Sequence, residues 1–260
     1  MEYEFVKVEK RNHISIVTIN RPEVYNAVHP PLSLELDQVW NNFIEDRDQW
    51  VAVLTGAGDK AFSAGNDLKY SAQQGKYKVQ QPKSGFAGLT NRFDRTKPII
   101  AAVNGFAMGG GMETALSCDI ILASENAKFA LPEVKVGFFA AAGGVQRLSR
   151  QIGKKAALEM ILTGRSVDAA EALKLGIIND VFPQAELLDK AIQKAEVIAG
   201  NCPSSVKYSL EALNHMDQLE EMASALEKSY ELIDLLRKTE DHKEGVSAFV
   251  EKRTPQWKNK

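Results

Sequence analysis

Apolar and polar positions alternate from Tyr3 to Val8 and again from His13 to Ile19, where Ile, Val and Thr dominate. Both stretches are expected as strands. Asn20-Arg21-Pro22-Glu23 then breaks the pattern. Pro30 and Pro31 precede Leu32, Leu34, Leu36, Val39, Trp40 and Phe43, the spacing of an amphipathic helix with proline at its entry. Val51 to Leu54, Ile99 to Val103 and Ile120 to Ala123 are short unbroken apolar runs, the signature of strands buried on both faces. The first two end at Thr55-Gly56 and Asn104-Gly105. Strands of this kind alternating with helices predict an α/β fold with parallel pairing.

The pattern changes near Asn201. Val206, Leu210, Leu213 and Met216, then Met222, Leu226, Tyr230, Ile233 and Leu236, carry helical spacing with no further strand signal. Two units follow: residues 1–200 as the core with the active site, and residues 201–260 as a C-terminal helical module. The module is too small to bury itself and is expected to pack on the core or on another subunit. Ser71 to Ser84 is polar and aperiodic, the character of a binding lid.

Composition removes several function classes. The 260 residues are 44% hydrophobic and 25% charged, an ordinary globular mixture. Net charge is −2, so the chain as a whole lacks the electrostatic footprint of a nucleic-acid or anionic-membrane protein. No apolar run reaches the roughly 18 residues of a membrane span, and the charged N-terminus does not read as a signal peptide. Cys118 and Cys202 match no disulfide or zinc spacing, so a cytoplasmic, reducing location is expected. No two of His13, His29, His215 and His242 lie within ten residues of each other, and no metal is expected. There is no G-x-S-x-G elbow and no phosphate loop, and Gly109-Gly110-Gly111 runs into Met112-Glu113-Thr114, so G-x-G-x-x-G fails at its last position.

Two turns and two glutamates carry the candidate chemistry. Ser63-Ala64-Gly65-Asn66-Asp67-Leu68 and Gly109-Gly110-Gly111-Met112-Glu113 each follow an apolar strand and a small-residue turn, and each opens a helix start. Free N–H groups at such starts, aimed at one point, would make an oxyanion hole. Tight β-to-α connections would look the same. Glu113 falls in the first turn of a helix expected over Met112–Ser117, where the helix dipole favours the ionised carboxylate. Glu133, after Leu131-Pro132 in an apolar stretch, would be pushed toward the protonated form by burial. A base-biased and an acid-biased carboxyl together suit the addition or removal of water, while each alone could be a helix cap or a surface group.

The segment Ala101 to Glu113 resembles the signature of the enoyl-CoA hydratase/isomerase (crotonase) family. The resemblance continues through Cys118-Asp119-Ile120, Phe129-Ala130-Leu131-Pro132-Glu133, Gly143-Gly144-Val145-Gln146-Arg147-Leu148 and Leu162-Thr163-Gly164-Arg165. Asn20-Arg21-Pro22 and Phe62 to Leu68 match upstream, and Glu244-Gly245, Ala248-Phe249 and Glu251-Lys252-Arg253 match downstream. Within the family, Gly85 to Thr90, Ser63 to Lys69 and the end from Phe249 to Lys258 are similar to carnitinyl-CoA dehydratases. The resemblance implies a spiral of β-β-α units with a C-terminal helical oligomerisation module, in a homotrimer or dimer of trimers. It implies an acyl-CoA thioester as substrate, with coenzyme A part of that substrate and no separate cofactor. It implies Glu113 and Glu133 as catalytic groups and the Asn66 and Gly110 N–H groups as the oxyanion hole. Val24, Tyr25, Ala64, Asp67, Leu68, Phe249 and Lys252 would contact CoA or substrate, the last two in a neighbouring subunit.

One stretch departs from the family. Ala140 and Ala141 stand where a Pro and then a Gly or Asp are usual. Ala141 offers no carboxylate to a cationic head group, and Phe138 and Phe139 with the alanines suggest an apolar acyl pocket. The expected reaction is the reversible hydration of a 2-enoyl-CoA, the reverse being dehydration of a 3-hydroxyacyl-CoA. The alternatives are an enoyl-CoA isomerase using Glu133 alone, and a non-catalytic RNA-binding or scaffold protein on the same fold.

Overall fold

The computed structural model describes residues 3–73, 81–216, 231, 234–236, 238–251 and 253–260. Strands β1 (Val6–Arg11) and β2 (Ile14–Ile19) form an antiparallel hairpin around Asn12, whose φ is 50°. Helix α1 (Pro30–Glu45) follows. The chain then repeats one unit: a buried strand, a tight turn, a short strand, and a helical segment. The first is β3 (Val51–Gly56), β4 (Ala61–Ser63) and α2 (Leu68–Gln73). The second is β5 (Ile99–Val103), β6 (Phe106–Met108) and α3 (Gly110–Leu116). The third is β7 (Ile120–Ser124), β8 (Lys128–Ala130), a 3-10 turn (Pro132–Val136) and α4 (Gly144–Gln151). Helix α5 (Lys154–Thr163), β9 (Ser166–Asp168), α6 (Ala169–Leu175), β10 (Asp180–Phe182) and α7 (Leu187–Ala199) complete the core, with α8 (Pro203–Met216) and α9 (Glu240–Glu251) beyond it.

Each repeat feeds two sheets. The long strands form a six-stranded sheet in the order β1-β2-β3-β5-β7-β10, parallel except for the first pair. The short strands form a second sheet in the order β4-β6-β8-β9, parallel except for the last pair. Asn104 clamps two of the crossings between sheets, donating through Nδ2 to the Gly56 and Gly58 carbonyls at 2.8 Å each.

The large sheet is covered on both faces. Val17, Ile19, Leu54, Ile99, Ala101 and Val103 pack with Leu32, Leu36, Trp40 and Phe43 of α1. Their neighbours Ile14, Ile16, Val51, Val53, Ile100 and Ala102 pack with Leu187, Ala191, Ile192 and Ala195 of α7. Two-sided burial is why β3 and β5 appear in the sequence as continuous apolar runs. The edge strand β1 is different. It was expected over Tyr3–Val8 and lies at Val6–Arg11, because pairing with β2 sets its register and an edge strand accepts exposed Glu9, Lys10 and Arg11. The Glu4 and Phe5 amides donate instead to the Glu35 carboxylate, at 2.9 and 2.8 Å.

Beyond α7, helices α8 and α9 pack on each other. Ser204 of α8 lies 3.4 Å from Asp241 of α9, and Trp257 Nε1 donates to the Gly200 carbonyl at 2.9 Å. Met222, Leu226, Tyr230 and Ile233, and residues 74–80 of the expected lid, lie outside the described residues.

Candidate active site

Strands β4, β6 and β8 are neighbours in the small sheet and run parallel. The turns leaving their C-terminal ends therefore come out side by side. They carry Asn66, Gly110 and Glu133 respectively, so the sheet order itself gathers the candidate residues. The first two turns touch. Gly65 has φ of 84°, and a Cβ there would lie 2.5 Å from the Met108 oxygen and 2.8 Å from the Gly110 nitrogen. Only glycine permits that approach.

The two amides are oriented by their neighbours. Val28 bridges Asn66 in parallel fashion: the Val28 N–H donates to the Gly65 carbonyl at 2.7 Å and the Asp67 N–H to the Val28 carbonyl at 3.0 Å. That pattern uses the groups on either side of Asn66 and turns its own N–H the other way. Gly110 is the first residue of α3, where an N–H has no acceptor within the helix. Two amides without a backbone acceptor, on touching turns, are the kind of donor pair an oxyanion needs.

Glu113, one turn into α3, is only 4% exposed. Its Oε1 accepts the Gly144 N–H at 2.9 Å. Burial, reinforced by the nearby charge of Glu133, pushes its pKa up from 4.5 to about 7. This corrects the expectation of a carboxylate held ionised by the helix dipole. The dipole contributes about 0.3–1 kcal/mol; a rise from 4.5 to about 7 corresponds to about 3 kcal/mol in the opposite sense. Desolvation wins because the carboxyl sits behind the Ala140–Gly144 turn and not at the surface.

Glu133 approaches from the 3-10 turn. Its Oε1 lies 3.0 Å from where a Cβ on Gly109 would be, so it rests against the residue preceding the Gly110 amide. Its Oε2 is buried with no hydrogen-bond partner among the described residues, and burial raises its pKa. Two carboxyls, both pushed toward neutrality, thus flank the start of α3. Glu113 near 7 divides between base and acid forms around neutral pH, and Glu133 keeps one oxygen free for a reacting group.

The family model for enoyl-CoA hydratase/isomerase matches residues 9–260. The chain belongs to the enoyl-CoA hydratase/isomerase family. It is 41% identical to (E)-benzylidenesuccinyl-CoA hydratase of Thauera aromatica, over 96% of this chain and 97% of that protein. It is 39% identical to carnitinyl-CoA dehydratase of Escherichia coli O157:H7, over 99% of each. The solved enoyl-CoA hydratase from Mycobacterium tuberculosis H37Rv superposes with a TM-score of 0.92 at 37% identity, covering 98% of this chain and 99% of that one. The two-sheet spiral described above is the crotonase fold of these relatives.

The remaining candidate residues of this family member divide. The Ala64 N–H donates to the Tyr25 carbonyl at 2.9 Å, so the Val24–Tyr25 turn abuts the Asn66 loop. Tyr25, Ala64, Asn66 and Leu68 are exposed on these two neighbouring loops. Asp67, between Asn66 and Leu68, is half-buried. Its carboxylate is paired with Arg21 at 3.0 Å and accepts the Tyr70 N–H at 3.0 Å, capping α2. Phe138 and Phe139 are 66% and 64% exposed, so they do not close an acyl pocket within one chain. Ala141 is exposed as well, while Ala140 is buried beside Gly144. Phe249 lies in α9 with its side chain outside the described residues, and Lys252 lies outside them altogether. A separate cavity of about 180 Å³, lined by Arg47, Lys97 and Lys207 among others, shares no residue with this site.

Three site residues escaped the sequence reading. Gly144 supplies the N–H that holds Glu113. Gly109 leaves room for Glu133. Phe86 packs its ring on Gly110, with Cε1 2.6 Å from where a Cβ would be. The Gly143-Gly144 pair was the available signal, since paired glycines ahead of a helix mark a close backbone approach.

Proposed function

We propose that the protein catalyses the reversible hydration of a 2-enoyl-CoA, and hence the dehydration of a 3-hydroxyacyl-CoA, as a carbon–oxygen lyase. The observation that carries this reading is the pair of carboxyls, buried Glu113 and half-buried Glu133, flanking the glycine-opened start of α3. In the forward direction Glu113 takes a proton from water as the oxygen adds to Cβ. Negative charge moves onto the thioester oxygen, which rests on the Asn66 and Gly110 amides. Glu133 delivers a proton to Cα, leaving Glu113 protonated and Glu133 ionised; loss of the Glu113 proton to solvent and uptake of one by Glu133 after product release reset the pair, and dehydration runs the same steps backwards. Nothing beyond the coenzyme A carried by the substrate is required. Hydratase and dehydratase names among the full-length relatives support the same reaction.

The proposed acyl group carries no cationic head group. The relatives named above act on differently substituted thioesters, and Ala141 supplies no counter-charge for a cationic head group. Assembly as a homotrimer or dimer of trimers belongs to the same proposal, supported by the exposed apolar side chains Val136, Phe138, Phe139 and Leu162. So does a cytoplasmic location; no helix among the described residues is long and apolar enough to cross a membrane. The test is a panel of 2-enoyl-CoA and 3-enoyl-CoA thioesters of varied length and head-group charge. Formation of 3-hydroxyacyl-CoA from an uncharged 2-enoyl substrate is expected. Turnover of 3-enoyl substrates alone would make the protein an isomerase working through Glu133. No turnover, with salt-dependent RNA binding, would make it a binding protein.

A further inference from the structure

Arg147 on α4 is half-buried, and the proposed reaction gives it no direct part. Its guanidinium reaches in two directions. Nη2 donates to the Thr90 carbonyl at 2.7 Å, just beyond the 3-10 turn that presents Phe86 to Gly110. Nη1 donates to the Ala142 carbonyl at 3.3 Å. A Cβ on Gly143 would collide with Nη1, so the bare backbone of the turn is what admits the guanidinium. The fork therefore ties the Ala142–Gly144 turn to the Thr90 loop, and it is this turn whose Gly144 N–H grips Glu113.

We propose that Arg147 is a positioning residue for the acid–base chemistry: its guanidinium fork locks the Ala142–Gly144 turn so that the Gly144 N–H holds the Glu113 carboxylate in place. This rests on the reading of Glu113 as a reacting group. Arg is suited to the task because its planar fork fixes two acceptors at once, which a lysine ammonium on a flexible stem does not. The charge also acts on Glu113. Glu133 raises the Glu113 pKa, and Arg147 opposes that rise. Arg147 in turn faces Glu113, Arg95, Cys118 and Arg150. Arg95 is paired with Asp119 at 2.8 Å, and the Cys118 thiol is pushed up to about 12 by burial, so it stays neutral. Arg147 is therefore the cation that favours an ionised Glu113.

The test is a double-mutant cycle on a 2-enoyl-CoA: Arg147→Gln and Arg147→Lys, each alone and with Glu113→Gln, with kcat, KM and the pH profile of kcat/KM recorded. Arg147→Gln is expected to lower kcat about tenfold with KM within about twofold, because the lost effect falls on the reacting state. The acidic limb of its profile is expected to move to higher pH, while Arg147→Lys, which keeps the charge, leaves that limb in place and restores part of kcat. In the Glu113→Gln background either substitution should cost less than about twofold, since its target is already gone. Equal losses in both backgrounds, or a raised KM with unchanged kcat, overturn the positioning role and leave the two-glutamate reading standing. If Arg147→Gln does not fold, the Arg147→Lys cycle decides by the same comparison. Near-normal turnover by Glu113→Gln alone overturns both.

Discussion

Replacing Glu113 by Gln should stabilise the protein at alkaline pH while destroying its activity, and the size of that gain follows from the site. The folded carboxyl titrates at about 7, against 4.5 for an ordinary one, because burial penalises its charge. Well below 4.5 it is neutral in both the folded and unfolded states, and folding costs nothing extra. Between 4.5 and 7 the unfolded chain gives up the proton while the folded chain keeps it, so stability falls as pH rises. Above 7 both states are ionised and the full cost is present. For the two pKa values just given, linkage makes the cost about 1 kcal/mol at pH 5 and about 3 kcal/mol at pH 8. Gln carries no such proton, and its amide oxygen can still accept the Gly144 N–H. Any fixed cost of its NH₂ group is the same at both pH values. The advantage of Glu113→Gln over the parent should therefore grow by about 2 kcal/mol between pH 5 and pH 8. Urea unfolding of both proteins at the two pH values, at one protein concentration, measures it. A difference that stays flat with pH, or shrinks toward pH 8, would falsify the buried, raised carboxyl.

Gly65→Ala should keep the fold but separate the two oxyanion amides, since its Cβ would meet the Met108 carbonyl at 2.5 Å and the Gly110 nitrogen at 2.8 Å. Loss of one donor predicts a fall in kcat of about 10²–10³, and an unchanged kcat in a folded variant would remove these turns from the site. Lys252→Ala should raise KM a few-fold to about tenfold with kcat nearly intact, as expected for a screened contact with phosphate. The penalty should shrink with salt and vanish on a truncated pantetheine thioester; the same penalty on both thioesters would sink the CoA contact.

What the sequence revealed and concealed follows from how each element is stabilised. Strands β3, β5 and β7 were legible because residues such as Val53 and Ile100 are buried on both faces, and two-sided burial leaves a short, unbroken apolar run. Helix α1 was legible from the spacing of Leu32, Leu36, Trp40 and Phe43. The second sheet was not. Strands β4, β6, β8 and β9 are three residues each, too short to show any period, and they are held by neighbours distant in sequence. Their order is nevertheless what brings Asn66, Gly110 and Glu133 together, so convergence of the two small-residue turns could not be read locally. Glu113 and Glu133 stand out in the sequence as candidates, but the burial that raises the Glu113 pKa does not. A helix N-terminus is visible in sequence, and the Ala140–Gly144 turn that closes over the carboxyl is not. The ion pair of Asp67 with Arg21, 46 residues upstream, is likewise invisible to a local reading of the Asn66–Leu68 stretch.

The central claim is that Glu113 and Glu133 together add water across a 2-enoyl thioester. The most direct measurement is turnover of an uncharged 2-enoyl-CoA in ¹⁸O-labelled D₂O by the parent, Glu113→Gln and Glu133→Gln, with the product analysed by mass spectrometry. The expected product is a 3-hydroxyacyl-CoA carrying one solvent oxygen at Cβ and one solvent deuterium at Cα. Each Gln variant, folded as the parent is, should fall by at least about 10²-fold in kcat, the scale of a lost general acid or base. A parent enzyme that yields no oxygen-labelled product, or either variant hydrating at close to the parent rate, would contradict the two-glutamate mechanism.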